Sequence, residues 1–129
     1  MNVVDSSGWL EYFAAGPNAE FFADAIEATD QLVVPTISIY EVFKRIHQQR
    51  GENDALMAVA LMQQGEVVDL SVHLALEAAR TSASIGIPMA DSIILASARS
   101  SEAVLWTQDA DFAGMEGVRY VAKADKDDD

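Results

Sequence analysis

Short apolar runs of strand length alternate with helix-length segments along the chain, and this alternation constrains the fold more than any other feature. The apolar runs predict five strands, at about Asn2–Val4, 32–34, 66–70, 104–106 and 118–121. Strands that alternate with helices are typical of a parallel sheet covered by helices on both faces. The sequence therefore predicts an α/β fold of three layers around a mostly parallel, five-stranded sheet.

The segments between the predicted strands have helix signals and end at glycine or proline. We predict helices at about 7–15, 18–28, Thr36–Arg50, 52–64, 71–85 and Met89–Ser100. Breaks at Gly16-Pro17, Gly51, Gly65 and Gly86 separate them, because glycine and proline end helices. Ser71 is the expected N-cap of the fifth helix, since a serine oxygen accepts a hydrogen bond from the first helical turn.

The 129 residues, half of them hydrophobic, are enough for one domain with one core. We expect this domain to span residues 1–124 and residues 125–129 to form an acidic, disordered tail. The chain has no cysteine, so a metal site would use hard oxygen ligands, which suit Mg²⁺ or Mn²⁺. It shows no signal peptide and no apolar run of roughly 20 residues, so we expect a cytoplasmic protein without a membrane partner.

Four acidic residues follow or interrupt apolar runs that should be core: Asp5, Glu41, Asp91 and Asp109. An unpaired carboxylate in such a place costs several kcal/mol or takes up a proton. In parallel sheets, ligands bind beyond the carboxyl ends of the strands, where the strand order reverses. The four carboxylates are therefore predicted to converge there on a shared cation.

Each acid also has a simpler interpretation that the sequence leaves open. Asp5 would cap the first helix, and Glu41 would form a helical ion pair with Lys44 or Arg45. Asp91 would be a helix N-terminal acid, and the acids of the turn after the fourth strand would bond within the turn. Of the four, Asp91 is the hardest to explain this way, because Ile94, Leu95 and Ala98 follow it as an apolar stripe.

Four sequence blocks together carry a resemblance that covers almost the whole chain. They are VVDS at 3–6, VPTISIYE at 34–41, ADSIILA at 90–96 and TQDADF at 107–112. In this order they resemble the PIN-domain nuclease family, and most closely the VapC-type toxins of toxin–antitoxin pairs. The resemblance implies a PIN-like fold, cleavage of RNA, a separate antitoxin protein as partner, and a homodimer.

The resemblance also assigns roles to residues. It implies that Asp5, Glu41, Asp91 and Asp109 hold one or two Mg²⁺ or Mn²⁺ ions, with Asp111 as an additional ligand. Ser6 and Thr107 would give polar support next to the substrate. In the turn after the fourth strand, Asp109 is expected to be the ligand, with Asp111 further out, because Phe112 should pull the chain into a helical turn.

The net charge of −13 opposes RNA binding, which depends on neutralising phosphates. Three of the eight basic residues, Lys44, Arg45 and Arg50, nevertheless follow Glu41 closely. We expect this local charge to attract RNA to the site. Trp9, Tyr12 and Phe13 occur at helical spacing and are expected to form either core or a surface for the antitoxin.

Two other functions compete with a nuclease. One is an inactive PIN-like interaction module, which the intact set of acids disfavours. The other is a receiver-type signalling domain with Asp69 as phosphoacceptor. A receiver domain would need an acid pair after the first strand and a lysine ending the fifth, where this chain has Ser6-Ser7 and Ala122.

Overall fold

The computed structural model describes residues 1–124, so the predicted tail at 125–129 lies outside the described residues. The five strands are β1 Asn2–Val4, β2 Val33–Pro35, β3 Glu66–Val68, β4 Val104–Thr107 and β5 Val118–Tyr120. The six α-helices are α1 Ser6–Phe13, α2 Ala19–Ile26, α3 Thr36–Arg50, α4 Glu52–Met62, α5 Val72–Ile85 and α6 Met89–Ser100. Two 3₁₀ turns lie at Thr29–Gln31 and Ala110–Phe112. Every predicted element is thus present in the predicted order.

All strand pairs are parallel, and the strand order is β3-β2-β1-β4-β5. The β1-β4-β5 and β2-β3 groups are joined by a single parallel bridge between Asn2 and Leu32. β3 ends at Val68, two residues before the prediction, because it is an edge strand whose continuation is exposed. The predicted α/β fold with a parallel sheet is confirmed.

The sheet is apolar on both faces, so helices cover it on both sides. On one face, Val4 and Trp106 join a core with α1, α2, α3 and α4. On the other, Val3 and Leu105 pack with Phe112 and the apolar stripe of α6. Neighbouring strand residues alternate between these cores because successive side chains of a strand point to opposite faces.

Trp9 lies inside the first core with no exposed surface, whereas Tyr12 and Phe13 are only partly buried at its edge. Trp9 therefore takes the first of its two expected roles, core, and only Tyr12 and Phe13 remain candidates for the antitoxin surface. Gly8 lies one residue before Trp9, and a Cβ there would approach the Phe22 ring to 2.6 Å. This close approach lets α1 pack on α2 and bury Trp9.

Helix ends follow local signals. Gly86 adopts a left-handed conformation, with φ of 74°, and ends α5. Ser71 caps the start of α5 by accepting a hydrogen bond from the Leu74 amide at 3.1 Å, as predicted.

No helix among the described residues is both long enough and apolar enough to cross a membrane.

The strand order reverses at β1. The chain moves outward from β1 through β2 to β3 and then returns to the other side of β1 for β4 and β5. The carboxyl ends of β1 and β4 therefore flank the crevice in which open parallel sheets bind ligands. A receiver-type sheet has the order 2-1-3-4-5. The observed order contradicts that alternative, and Asp69 follows the edge strand far along the sheet from the crevice.

Candidate metal centre

Asp5 stands directly after β1 and is 3% exposed. Its backbone N–H donates to the Trp106 carbonyl at 3.1 Å, which continues the β1–β4 pairing. Its carboxylate accepts three hydrogen bonds, from the Gly8 amide at 3.1 Å, the Ser7 hydroxyl at 2.8 Å and the Thr107 hydroxyl at 2.8 Å. Asp5 therefore caps α1, as its simpler interpretation predicts, and the same carboxylate faces the other acids.

Thr107 joins the two strand ends that flank the crevice. Its buried hydroxyl donates to one Asp5 oxygen at 2.8 Å and accepts from the Asp109 amide at 2.9 Å. Thr107 has no exposed surface, and its hydroxyl fixes the positions of both acids.

Asp109 begins the 3₁₀ turn Ala110–Phe112. One of its carboxylate oxygens accepts a hydrogen bond from the Asp111 amide at 2.9 Å. The turn is held in place by Phe112, which is fully buried. The predicted helical turn is present, with Asp109 half-buried and Asp111 exposed at its outer side.

Glu41 is held across the crevice by Ser6, whose hydroxyl donates to Glu41 Oε1 at 2.6 Å. The ion pair expected between Glu41 and a following basic residue is not formed. Among residues 1–124, the ion pair whose charged nitrogen and oxygen lie within 4 Å is formed by Arg80 and Glu77 on α5. Lys44 instead places its ammonium 5.8 Å from the centre of the Tyr40 ring.

Asp91 lies in the first turn of α6, after Pro88, and is half-buried. Ligand oxygens of Asp91, Asp109 and Asp111 lie within 4.8 Å of one another. Asp5 and Glu41 are outside this close group of the described residues. The fold thus brings acids from β1, α3, α6 and the turn after β4 to one crevice, with three of them in contact range of a single ion.

The carboxylates of the site repel one another. Burial, together with the negative charges of Asp109, Asp5, Asp111 and Glu41, raises the pKa of Asp91 to about 7. Burial also raises the pKa of Asp5 to about 6, although its hydrogen bonds from Thr107, Ser7 and Gly8 oppose the rise. A cation among these carboxylates would offset both effects. Their oxygen donors fit Mg²⁺ or Mn²⁺.

A groove of about 450 Å³ adjoins this crevice on the side of Ser7 and Gln108. Its apolar wall is formed by Leu10, Phe13 and Ile46. Three basic side chains, Arg45, Arg50 and Lys123, and one carboxylate, Glu11, also line the groove. Lys44 borders a different groove, between α3 and α4, so the structure separates it from Arg45.

Sequence reasoning missed four residues of the site: Ser7, Gln108, Asn18 and Lys123. Gln108 is 7% exposed, and its side chain donates to the Ser7 carbonyl at 3.4 Å and accepts from Asn18 at 3.0 Å. Ser7 had a local signal, since it directly follows the Asp-Ser pair. The others depend on contacts between segments about a hundred positions apart, for which the sequence has no local signal.

Comparison with known proteins supports this architecture. A family model described as PIN domain matches residues 3–118. No protein of curated function matches the chain in sequence. A toxin–antitoxin complex from Klebsiella pneumoniae aligns with a TM-score of 0.77 and 24% identity, over 92% of this chain and 96% of that chain.

Two further solved structures have the same fold. VapC20 from Mycobacterium tuberculosis, a toxin that cleaves the sarcin–ricin loop, aligns with a TM-score of 0.76 and 18% identity over 92% of this chain and 99% of its own. The DNA-bound VapBC of Salmonella typhimurium aligns with a TM-score of 0.72 and 16% identity over 94% of this chain and 96% of that chain.

Proposed function

The chain belongs to the PIN domain family, and from this premise we propose that it is a Mg²⁺- or Mn²⁺-dependent endoribonuclease and the toxin of a toxin–antitoxin pair. The observation that carries the proposal is the convergence of four carboxylates around a fifth, that of Asp91, at the switch point of the sheet. The solved structures of similar fold, one of them a toxin that cleaves the sarcin–ricin loop, support the choice of reaction. We place this activity in the cytoplasm as part of the proposal.

Asp91, Asp109 and Asp111 would hold the metal, with Asp5 and Glu41 completing the negative site. A bound divalent ion supplies a water of lowered pKa and positive charge for the scissile phosphate. The chain's own polar residues preorganise the carboxylates. Thr107 and Ser7 fix Asp5, and Ser6 fixes Glu41, so these oxygens need not reorient when the ion enters.

The groove next to the site is the proposed path of the RNA. A chain of net charge −13 repels a polyanion, and only positive charge within about a Debye length, ~8 Å, of the path offsets this repulsion. Arg45, Arg50 and Lys123 line the groove and meet this need. The partly buried Phe13 in its wall offers a ring for base stacking.

The first test is RNA cleavage by purified protein in Mg²⁺, in Mn²⁺ and in EDTA. Asp91→Asn keeps the shape of the side chain but removes a charge from the metal site, so cleavage should be lost. Asp69→Asn is the matched control, because it removes an exposed carboxylate that follows the edge strand, outside the site. A wild-type chain that binds Mn²⁺ but cuts no RNA would support the inactive interaction module instead.

The second test compares two neighbouring basic residues. Arg45→Ala removes charge from the groove and should raise the Michaelis constant more than it lowers turnover. Lys44→Ala removes an equal charge one position away, beside Tyr40, and should change the Michaelis constant less. Equal effects of the two variants would show that net charge, and not the groove, attracts RNA.

The antitoxin is proposed to lay an apolar segment along Phe13 and Tyr12 and to direct a basic side chain at the carboxylates. A basic partner is electrostatically favoured by the acidity of this chain. Co-purification with the product of the adjacent gene, and inhibition of RNA cleavage by that product, are the measurements. If Phe13→Ala leaves inhibition by such a product unchanged, the antitoxin does not use this surface.

A further inference from the structure

Glu11, near the end of α1, places a fixed carboxylate in the groove that is the proposed path of the RNA. Its Oε2 accepts a hydrogen bond from the Asn18 backbone amide at 2.8 Å. Gly16 leaves the room for this contact, because a Cβ at that position would collide with the Glu11 carboxylate. The chain between α1 and α2 therefore holds the carboxylate in one position.

The Glu11 carboxylate is not neutralised by the cations of the same groove. Three basic side chains line the groove with it: Arg45, Arg50 and Lys123. Within the part of the chain that the structure describes, none of the three forms an ion pair with Glu11, and no donor bonds to its Oε1. The contact with the Asn18 amide uses only Oε2, so Oε1 is available to a ligand.

A carboxylate on the path of a polyanion calls for a partner other than phosphate, which it would repel. An ionised carboxylate only accepts hydrogen bonds, so the partner must offer donors. The bases of single-stranded RNA offer N–H donors on their Watson–Crick edges, and proteins that recognise RNA sequence bind these edges. Glu11 is therefore placed to contact a base while the basic side chains of the groove contact phosphates.

Guanine has two adjacent donors, N1–H and the N2 amino group, that match the two oxygens of a carboxylate. Cytosine and adenine each place one amino donor beside a ring nitrogen that is an acceptor, and uracil places one N–H between two carbonyl oxygens. Those acceptors would face the second carboxylate oxygen and be repelled by it. Glu11 Oε2 can accept from guanine as well as from Asn18, because a carboxylate oxygen has two lone pairs.

The groove has the size and the wall that one base needs. Its volume of about 450 Å³ lies within the range of roughly 300 to 1,000 Å³ that ligand pockets have. Phe13 stands in its wall, and the Phe13 ring is stacked on buried Trp9 with ring centres 5.8 Å apart. This stacking fixes the Phe13 ring, and bases of single-stranded RNA stack on such rings.

We propose that Glu11 selects a guanine base of the RNA by accepting hydrogen bonds from its N1–H and its N2 amino group, while the base stacks on Phe13. This role of Glu11 rests on the proposed cleavage of RNA, because it names the base that the groove beside the carboxylate crevice would bind. Glu11 is a specificity-determining residue in this arrangement and takes no part in holding the metal.

The first measurement is binding of short fluorescent uridine oligonucleotides that contain a single guanosine, inosine or adenosine. Fluorescence anisotropy at low salt in EDTA reports binding without the metal that the proposed cleavage requires. The wild type should bind the guanosine RNA about tenfold more tightly than the adenosine RNA, as expected of a bidentate contact. Inosine keeps N1–H but lacks the N2 amino group, so its RNA should bind with intermediate affinity. Equal binding of the guanosine and adenosine RNAs would overturn the proposal without any variant.

The second measurement compares two glutamate variants with the same RNAs. Glu11→Gln should abolish the preference for guanosine, because the amide keeps an oxygen for the Asn18 amide but turns N–H groups toward the donors of guanine. Glu20→Gln is the matched control, since it removes an equal charge from an exposed position on α2 and should leave the preference unchanged. A Glu11→Gln variant that still prefers guanosine would overturn the proposal and leave Glu11 as a residue that only holds the start of α2.

RNA cleavage in Mg²⁺ separates a failure of this role from a failure of the proposed nuclease. Cleavage by a chain that binds guanosine and adenosine RNAs equally would overturn the role of Glu11 alone. A guanosine preference that Glu11→Gln abolishes, in a chain that cuts no RNA, would overturn the nuclease and leave Glu11 as a guanine-binding residue. A chain that binds none of the three RNAs would overturn the role of Glu11 together with the groove as the path of the RNA.

Discussion

Replacing Asp91 by asparagine should stabilise the metal-free protein and abolish its stabilisation by Mg²⁺. In the metal-free fold, Asp91 is half-buried among four other carboxylates, and its pKa is raised to about 7. Ionised Asp91 therefore opposes folding. Asparagine keeps the size of the side chain without its charge, so the repulsion is removed while the packing at the start of α6 is retained.

The size of the effect follows from the raised pKa of Asp91. A shift from 3.8 to about 7 corresponds to ~4 kcal/mol at full strength. Because solvent screens a half-exposed group, we expect about 1 to 2 kcal/mol. A carboxyl whose pKa is raised by folding favours the fold while protonated. The stabilising contribution of protonated Asp91 to the free energy of unfolding is complete below pH 3.8 and is lost as the pH rises through about 7. The gain in stability of Asp91→Asn over the metal-free wild type should therefore be small at pH 4 and largest at pH 8.

The assay is urea unfolding in EDTA and in Mg²⁺, at pH 4 and at pH 8. In EDTA at pH 8, Asp91→Asn should require more urea than wild type. Mg²⁺ should then stabilise wild type, because an ion that binds only the folded state shifts unfolding by mass action, and it should leave the variant nearly unchanged.

The control for this experiment is Asp69→Asn, which removes an exposed carboxylate outside the site and should change stability by only a few tenths of a kcal/mol. The reasoning is refuted if Asp91→Asn is less stable than wild type in EDTA at pH 8. It is also refuted if Mg²⁺ stabilises wild type and variant equally, since Asp91 would then be a helix N-terminal acid without a metal role.

Three further outcomes are expected. Asp109→Asn should lower RNA cleavage at saturating Mg²⁺ more than Asp111→Asn, because Asp109 is the less exposed and its backbone amide, which donates to the Thr107 hydroxyl, holds it at the end of β4; the reverse order would exchange their roles. Thr107→Val should destabilise the fold by about 1 to 3 kcal/mol, and more at pH 8 than at pH 4, because it removes a donor that favours ionised Asp5; Thr107→Ser should restore stability in the same urea assay. Gly8→Ala should lower the free energy of unfolding by roughly 1 to 3 kcal/mol, since the added Cβ meets the Phe22 ring at 2.6 Å, and a thermal melt matching wild type would contradict this.

The sequence alone determined the order and type of the elements, because apolar periodicity and the glycine and proline breaks are local signals. α3 and α6 begin and end where predicted. α1 begins one residue earlier than predicted, at Ser6, because Asp5 itself is the cap. The sequence also identified the candidate acids, because a carboxylate that ends or interrupts an apolar run is costly to bury without a hydrogen-bond or charge partner.

Only the tertiary structure decided which groups meet. The hydrogen bond from Thr107 to Asp5 joins residues 102 positions apart, and it exists because β1 pairs with β4 in this strand order. Glu41 bonds to Ser6 and not to its helical neighbours, since the crevice brings α1 beside α3. Trp9 is buried because α2 covers it. A local sequence pattern shows which polar residues require a hydrogen-bond or charge partner, but the identity of that partner depends on how distant segments pack.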